Sequence, residues 1–395
     1  MPPSVPHGRL PPPSPEEVEH ADRVAAMLRE RIAAAGGVVD FETFMELALY
    51  APGLGYYSAG AHKLGPGGDF VTAPELSDLF SQCVARQCAQ ILEQLPDGEI
   101  VEFGAGTGRM AQIVLTELAS LGVLPRRYRI LEVSADLAAR QRARLSALPH
   151  AQLERVSWLQ AWPAEPIRGV LLANEVLDAL PFQRFVMRAH GVHALAVGLD
   201  ARGSLVELEV AAGAPLAAEF ARLQRELPHA LPSGYRSELC LRVAPWIRGL
   251  SQSLERGVAL LFDYGLPRAH YYHPQRGAGT LRCHYRHHAH EQFLWYPGLC
   301  DITAWVDFTR VAEAAVESGL AVLGFVTQGA FLLGTGIEQR VAAAADLSAR
   351  VRLAGEARRL LLPEEMGESF KLMALGRAFD APLRGCAHQD LRRML

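Results

Sequence analysis

The stretch Glu99-Ile100-Val101-Glu102-Phe103-Gly104-Ala105-Gly106-Thr107-Gly108-Arg109-Met110 decides the reading of this chain. A short apolar run ends in three alternating glycines, and the pattern restarts with helical spacing. An apolar strand that turns on glycine into a helix is the opening unit of a parallel sheet with helices on its faces. One glycine permits a tight turn with positive φ, and another lets a ligand approach the backbone. The spacing separates two kinds of ligand. A dinucleotide fingerprint, GxGxxG, needs Gly or Ala where Arg109 stands, so a nicotinamide enzyme is disfavoured.

GxGxG behind an acid suits a ligand with no pyrophosphate to seat on the helix N-terminus. S-adenosylmethionine is such a ligand, and an acid at Glu102 suits its cationic sulfonium and amino groups. Glu132 ends the next expected strand, Arg129–Val133, where a carboxylate can accept from both ribose hydroxyls. The candidate cofactor set around the turn is therefore Glu102, Gly104, Ala105, Gly106, Gly108, Glu132 and Val133. The competing reading is a strand-to-helix turn that binds nothing, with Glu132 a surface acid.

Outward from the turn the chain alternates. Arg109–Leu121 and Ala135–Leu148 read as helices, and Val156–Leu159 and Gly169–Ala173 as strands. The alternation resumes with a helix near Ala244–Glu255, the strand Val258–Phe262, the helix Phe308–Ser318 and the strand Ala321–Val326. Helices follow over about 337–360, and Phe370–Leu375 reads as a final strand. Upstream, Glu16–Ala34 and Phe41–Tyr50 are expected helices, with Asp40 capping the second. A third runs from about Pro74 to Leu95. Phe185–Val210 reads as hairpin-like strands and Ala217–Leu227 as a helix, while Tyr271–Trp295 reads as an irregular His/Arg/Tyr-rich loop. The expected division is a disordered Pro-rich tail (1–15) and an N-terminal helical region with a ligand-covering loop (16–95). A sheet domain (96–184 and 241–377), an inserted cap (185–240) and a C-terminal tail (378–395) complete it.

Ligands of such sheets bind outside the carboxyl ends of the strands. That places Asn174, Glu175 and Asp178, which follow the strand Gly169–Ala173, in the cleft. Glu175 and Asp178 are three residues apart, so on a first helical turn they would project from one face and hold a cation such as a guanidinium. Helix capping is the bland alternative, because acids favour helix N-termini. Gly68, Asp69, Phe70 and Thr72 form a polar loop before Pro74, and capping explains Thr72 better than it explains Asp69 and Phe70. Asp263 ends its strand on the same rim. Six histidines lie between His270 and His290 beside Cys283, without the spacing of a closed zinc site, so no metal is expected and the segment reads as a substrate-facing loop. Cys83 and Cys88 fit a helix core better than a nucleophile's place.

Composition narrows the class. Half the residues are hydrophobic and the net charge is −4, which suits a globular chain with a large core and disfavours a nucleic-acid binder. No apolar run approaches the roughly 18 residues of a membrane helix. The N-terminus lacks both a signal-peptide core and a transit-peptide pattern, and six cysteines form no CxxC pair. A cytoplasmic protein without membrane insertion is expected. Oligomeric state is left open.

These motifs resemble a family of S-adenosylmethionine-dependent methyltransferases that includes the mitochondrial complex I assembly-factor protein-arginine methyltransferase and its bacterial relatives. The resemblance is carried by FETFMELALYAPGLGYYS (41–58), GDFVTAPELSDLF (68–80), EFGAGTGRM (102–110), LEVSADLAARQ (131–141), ANEVLDALPFQRF (173–185), FDYG (262–265), GTLRCHYRHHAH (279–290), DITAWVDF (301–308), QGAFLLGTGI (328–337) and MGESFKLMALGR (366–377). It implies an α/β, Rossmann-like class I methyltransferase sheet with helices on both faces, plus the N-terminal extension and the inserted cap. It also implies S-adenosyl-L-methionine as cofactor, S-adenosyl-L-homocysteine as product, and a protein substrate methylated on arginine nitrogen. A respiratory complex I subunit or its bacterial equivalent is the implied partner. Gly104, Gly106 and Gly108 fall at the cofactor turn, Glu132 on the ribose, and Asn174, Glu175 and Asp178 at the reaction centre. The chain departs from the family at Ala105 and Thr107, often Pro and Arg, and at Val176 and Leu177, often aromatic. Both changes keep the polar atoms but leave the shape of the acceptor pocket open. A non-catalytic assembly factor that binds the cofactor is the competing class.

Overall fold

The computed structural model describes residues 10–58 and 72–395, so the expected cofactor residues Gly68, Asp69 and Phe70 lie outside the described residues. Glu99–Phe103 is a fully buried strand at the centre of the main sheet. Val101 and Phe103 feed one apolar core with Leu171 and Leu261, while Ile100 feeds the other with Leu172 and Leu260. Both faces are thus covered, which is why these strands read as near-continuous apolar runs.

The main sheet runs in the order Ala321–Thr327, Phe370–Arg377, Leu254–Leu266, Ile167–Asn174, Glu99–Phe103, Tyr128–Leu131, Val156–Leu159. Phe370–Arg377 is antiparallel to both its neighbours, and the other pairings along this row are parallel. Two-residue Val306–Asp307 attaches in parallel to the end of Leu254–Leu266. From Glu99–Phe103 the chain moves first to Tyr128–Leu131 on one side and later to Ile167–Asn174 on the other. That reversal opens a crevice at the carboxyl ends of the strands.

A second sheet forms the cap. Gln183–Arg188, Gly191–Leu199, Leu205–Ala211 and Arg236–Leu239 pair antiparallel under the helix Ala214–Glu226. Its edge is supplied from outside the expected cap: Val38–Asp40, within the expected helical region, pairs with Gly191–Leu199. The His-rich segment is not the irregular loop expected. Arg282–Tyr285, His288–His290 and Asp301–Thr303 make a three-stranded sheet, and its Cys283, Tyr285 and Ile302 pack with Phe41, Phe44 and Met45 of the helix Phe41–Tyr50.

One further expectation needs correction. The helix expected from Pro74 to Leu95 is two helices, Ala73–Leu76 and Asp78–Leu92. Ser77 divides them in extended conformation, its hydroxyl accepting from Leu79 N at 3.2 Å and donating to Glu356 at 2.6 Å. The expected C-terminal tail, residues 378–395, packs onto the main domain: Phe379 and Leu383 are buried and Leu391 N donates to Phe325 O at 2.8 Å. Among the described residues no helix is long and apolar enough to cross a membrane.

Candidate active site

The three glycines of the turn all have positive φ: 64° at Gly104, 54° at Gly106 and 81° at Gly108. L-residues with side chains rarely hold that conformation, and a branched one is a true outlier there. Arg109 begins the following helix and ties the turn to the segment before it. Its guanidinium donates to Asp78 Oδ1 at 3.1 and 2.9 Å and to Glu75 O at 3.0 Å. Thr107 Oγ1 donates to Glu75. The residue that breaks the dinucleotide pattern is therefore a clamp on the turn.

A cleft of about 550 Å³ opens above the turn. Its walls include Thr72, Glu102, Gly104, Ala105 and Gly106 from the first strand and its approaches, then Glu132, Val133, Asn174 and Glu175. Of the other expected residues, Gly108 sits behind the turn rather than on the cleft. A Cβ there would come within 3.3 Å of Gln141, so its role is to cap the helix and admit that neighbour.

Glu132 is buried, with Oε1 accepting from Ser134 N and Oε2 from Gln141 Nε2, both at 2.9 Å. The same Gln141 nitrogen donates to Gly106 O at 3.0 Å, and its oxygen accepts from Trp158 Nε1 at 2.9 Å. One amide thus fixes the carboxylate relative to the glycine turn. Each carboxylate oxygen keeps a second lone pair for a ligand hydroxyl. Burial raises the Glu132 pKa against these hydrogen bonds. Glu102 is more deeply buried. Its Oε2 accepts from Tyr128 OH at 2.6 Å, and desolvation pushes its pKa up to about 7.

Val133 is 73% exposed on the cleft wall, and Trp162, which also lines the cleft, packs against Phe103 (4.9 Å between centroids) and Trp246 (5.7 Å). A bare valine and an aromatic cluster lining the same cleft offer an apolar seat for a planar base, so the donor set fits an adenosine: carboxylate for ribose hydroxyls, apolar lining for the ring.

The acidic motif departs from expectation. No helix follows Ile167–Asn174; residues 175–180 form a loop, and Glu175 holds φ at +54°. Glu175 and Asp178 consequently do not share a helical face. Glu175 lines the cleft, with Oε1 accepting from Asn174 Nδ2 at 3.1 Å. Asp178 does not line the cleft; it faces a separate small cavity on the other side of the loop. The loop keeps this shape because Asp263, 1% exposed, accepts from Leu177 N at 2.9 Å and Asp178 N at 3.2 Å through Oδ2, and from Tyr264 N at 2.9 Å through Oδ1. Asp263 thus lies beneath the loop as its anchor.

Three carboxyls this close in a desolvated place hold protons tightly. Burial, with Asp178 and Asp301 nearby, lifts Glu175 from 4.5 to about 8. Burial raises Asp178 to about 6, and burial with both neighbours raises Asp263.

Reading the sequence missed the opposite wall. Tyr50 and Tyr57 line the cleft facing the acidic loop, their rings stacked at 5.4 Å. Tyr50 OH donates to Ala179 O at 2.9 Å and Tyr57 OH to Asp301 Oδ1 at 2.8 Å. Arg242, at the cleft mouth, is engaged by Glu42 at 2.6 Å and Glu46 at 2.5 Å. Gln141 was visible only as one position on a helix face. Among the described residues no group of three or more His, Cys, Asp or Glu could hold a metal ion. His284 and His290 are held neutral by burial, with pKa values lowered to about 4. Cys83 and Cys88 are buried, and desolvation pushes Cys83 up to about 11 and Cys88 higher.

A glycine turn, a ribose-type carboxylate on the next strand and an acidic loop at the reversal of strand order define a methyltransferase of the class I sheet type. The family model for S-adenosyl-L-methionine-dependent methyltransferases matches residues 83–326, and the chain belongs to that family. It is 28% identical over 372 residues to the mitochondrial protein arginine methyltransferase NDUFAF7 of Danio rerio, covering 86% of this chain and 84% of that one. The NDUFAF7 of Bos taurus is 30% identical over 402 residues, covering 92% and 86%. A crystal structure of a Burkholderia thailandensis protein assigned to methyl transfer, with S-adenosyl-homocysteine bound, superposes with a TM-score of 0.92 at 42% identity. It covers 98% of this chain and all of that one. The protein is an S-adenosyl-L-methionine-dependent methyltransferase.

Proposed function

We propose that the methyl acceptor is an arginine side-chain nitrogen of a protein. The observation that carries this reading is Glu175: a carboxylate on the cleft wall, beside Asn174 and opposite Tyr50 and Tyr57, with no cation paired to it among the described residues. A guanidinium is planar and permanently charged, and it matches a carboxylate by two parallel hydrogen bonds. The names of the 28–30% identical relatives support the same acceptor class. The cofactor supplies an electrophilic methyl group. This chain's residues do the rest. The glycine turn and Glu132 hold the adenosine half, Val133 and Trp162 flank the base, and Glu175 orients the guanidinium so that nitrogen, methyl and sulfur fall in line. Such positioning is the main source of acceleration in a displacement between two bound groups. The attacking nitrogen must shed a proton, and a carboxyl whose pKa sits near neutrality suits that task. A respiratory-complex subunit in the cytoplasm's reach is the first acceptor to test.

Incubation with tritiated S-adenosylmethionine and protein from a strain lacking this gene, followed by hydrolysis and amino-acid analysis, tests the proposal. Methylarginine in one protein band is expected. Label confined to another residue type refutes the acceptor class, and no label at all favours a non-catalytic binder.

A further inference from the structure

Asp178 turns away from the cleft toward a small cavity of about 40 Å³, formed where the cap meets residues 304–310 at the end of the main sheet. About 10–15 Å³ of such space holds one water, so there is room for two or three. The lining is polar in a specific way. Asp178 Oδ1, Glu238 Oε1 and Trp305 Nε1 are all buried and all lack a hydrogen-bond partner. Asp178 is 5% exposed and Glu238 2%. Glu238 uses only its other oxygen, which accepts from Thr280 N at 2.8 Å and Thr280 Oγ1 at 3.0 Å. It has no ion-pair partner among the described residues. Two carboxylate oxygens and an indole N–H left without partners on three residues that line one cavity are costly unless something bridges them. A guanidinium could satisfy the two acceptors but not the indole donor. Water satisfies all three.

The cavity also has a way out. Its far side is lined by Glu219, Arg222 and Glu226 of the cap helix Ala214–Glu226, whose side chains are 20–35% exposed. The acidic loop therefore has one carboxyl on each side: Glu175 toward the cofactor, Asp178 toward this cavity, with Asp178 raising the pKa of Glu175. We propose that the cavity is an internal water site through which Asp178 and Glu238 pass the proton shed by the acceptor nitrogen out to solvent at the cap. The proton leaves nitrogen as the carbon–nitrogen bond forms, is taken by Glu175 and handed across the loop to Asp178, and moves from there through the waters past Glu238 by hydrogen-bond exchange. Nothing is oxidised or reduced, and each carboxyl returns to its starting charge. The role of Glu238 is one of relay; it touches neither cofactor nor acceptor. This rests on the acceptor reading above.

Two measurements test it. Diffraction from the protein to about 1.5 Å should show ordered waters within hydrogen-bond distance of Asp178 Oδ1, Glu238 Oε1 and Trp305 Nε1. A dry cavity overturns the proposal. Glu238→Gln keeps the shape and the bonds from Thr280 but cannot take up a proton. With tritiated S-adenosylmethionine and deletion-strain protein, it should melt and bind cofactor like the parent yet transfer methyl at least about 10-fold more slowly, with an enlarged solvent deuterium isotope effect. Should that variant fold poorly, Trp305→Phe removes the indole donor instead, and the same slowing and isotope effect are expected. Parent-like rate and isotope effect in the folded variant overturn the relay. If the parent itself labels no arginine, the acceptor reading has failed, and diffraction alone then decides whether the waters exist.

Discussion

Replacing Glu175 by Gln should stabilise the protein while disabling it. Glu175 ionises near 4.5 when exposed and near 8 in the folded chain. A carboxyl raised on folding gives its full stability below the unfolded value, and that contribution is lost as pH climbs toward the folded value. At pH 7 the difference spans about 2.5 pH units, or roughly 3 kcal/mol at about 1.4 kcal/mol per unit. The side chain borders a cleft open to water, so about half of that, near 2 kcal/mol, is the reasonable expectation. Gln keeps an oxygen to accept from Asn174 Nδ2. Thermal unfolding of both proteins should therefore coincide near pH 4.5 and diverge as pH rises to 8. The variant should melt about 2–4 °C higher at pH 7 in a chain of this size. Its methyl transfer should fall by about 10² or more, the usual cost of a positioned proton acceptor. Parallel stability curves for the two proteins across pH 4.5–8 would refute the reasoning, because Glu175 would then ionise normally.

Other expectations concern the supports of the site. Glu132→Ala should weaken S-adenosylmethionine binding by about 1.5–3 kcal/mol, read by calorimetry, and the 2′-deoxy analogue should lose less on going from parent to variant. If the parent does not distinguish the analogue from the cofactor, the ribose role is wrong. Gly106→Val places a branched side chain at φ 54° on the cleft wall; cofactor binding should vanish with little change in circular dichroism, and retained affinity would contradict the assignment. Arg268 is bound by Glu313 at 2.6 Å, Asp307 at 3.2 Å and Glu226, joining the cap helix to the main domain. Arg268→Met leaves largely buried Asp307 without its cation while Arg222 still reaches Glu313 and Glu226, and should cost about 3 kcal/mol in urea unfolding; a loss under about 1 kcal/mol would show the network to be dispensable.

The central strands were legible because they are buried on both faces. Glu99–Phe103 has the bounds expected from its apolar run, the half-buried edge strand Val156–Leu159 also has those expected, and Phe41–Tyr50 begins after its expected Asp40 cap. The acidic motif misled at one point. Three-residue spacing implies a shared face only on a helix, and the anchor that prevents a helix, Asp263, lies 85 residues along the chain from the Asp178 amide it holds. The Tyr50 and Tyr57 wall was hidden for the same reason: their hydrogen bonds span 129 and 244 residues. The strand Val38–Asp40 is three residues long and gains its place only from the edge of the cap sheet, so no local pattern announces it.

A co-crystal structure with S-adenosyl-homocysteine tests the placement of the chemistry most directly. The expected result is adenine against Val133, ribose hydroxyls on Glu132, and the sulfur's open side turned to the Glu175 carboxylate, with room between them for a guanidinium. Adenine or the amino-acid tail lodged against Glu175, leaving no acceptor space there, would contradict it.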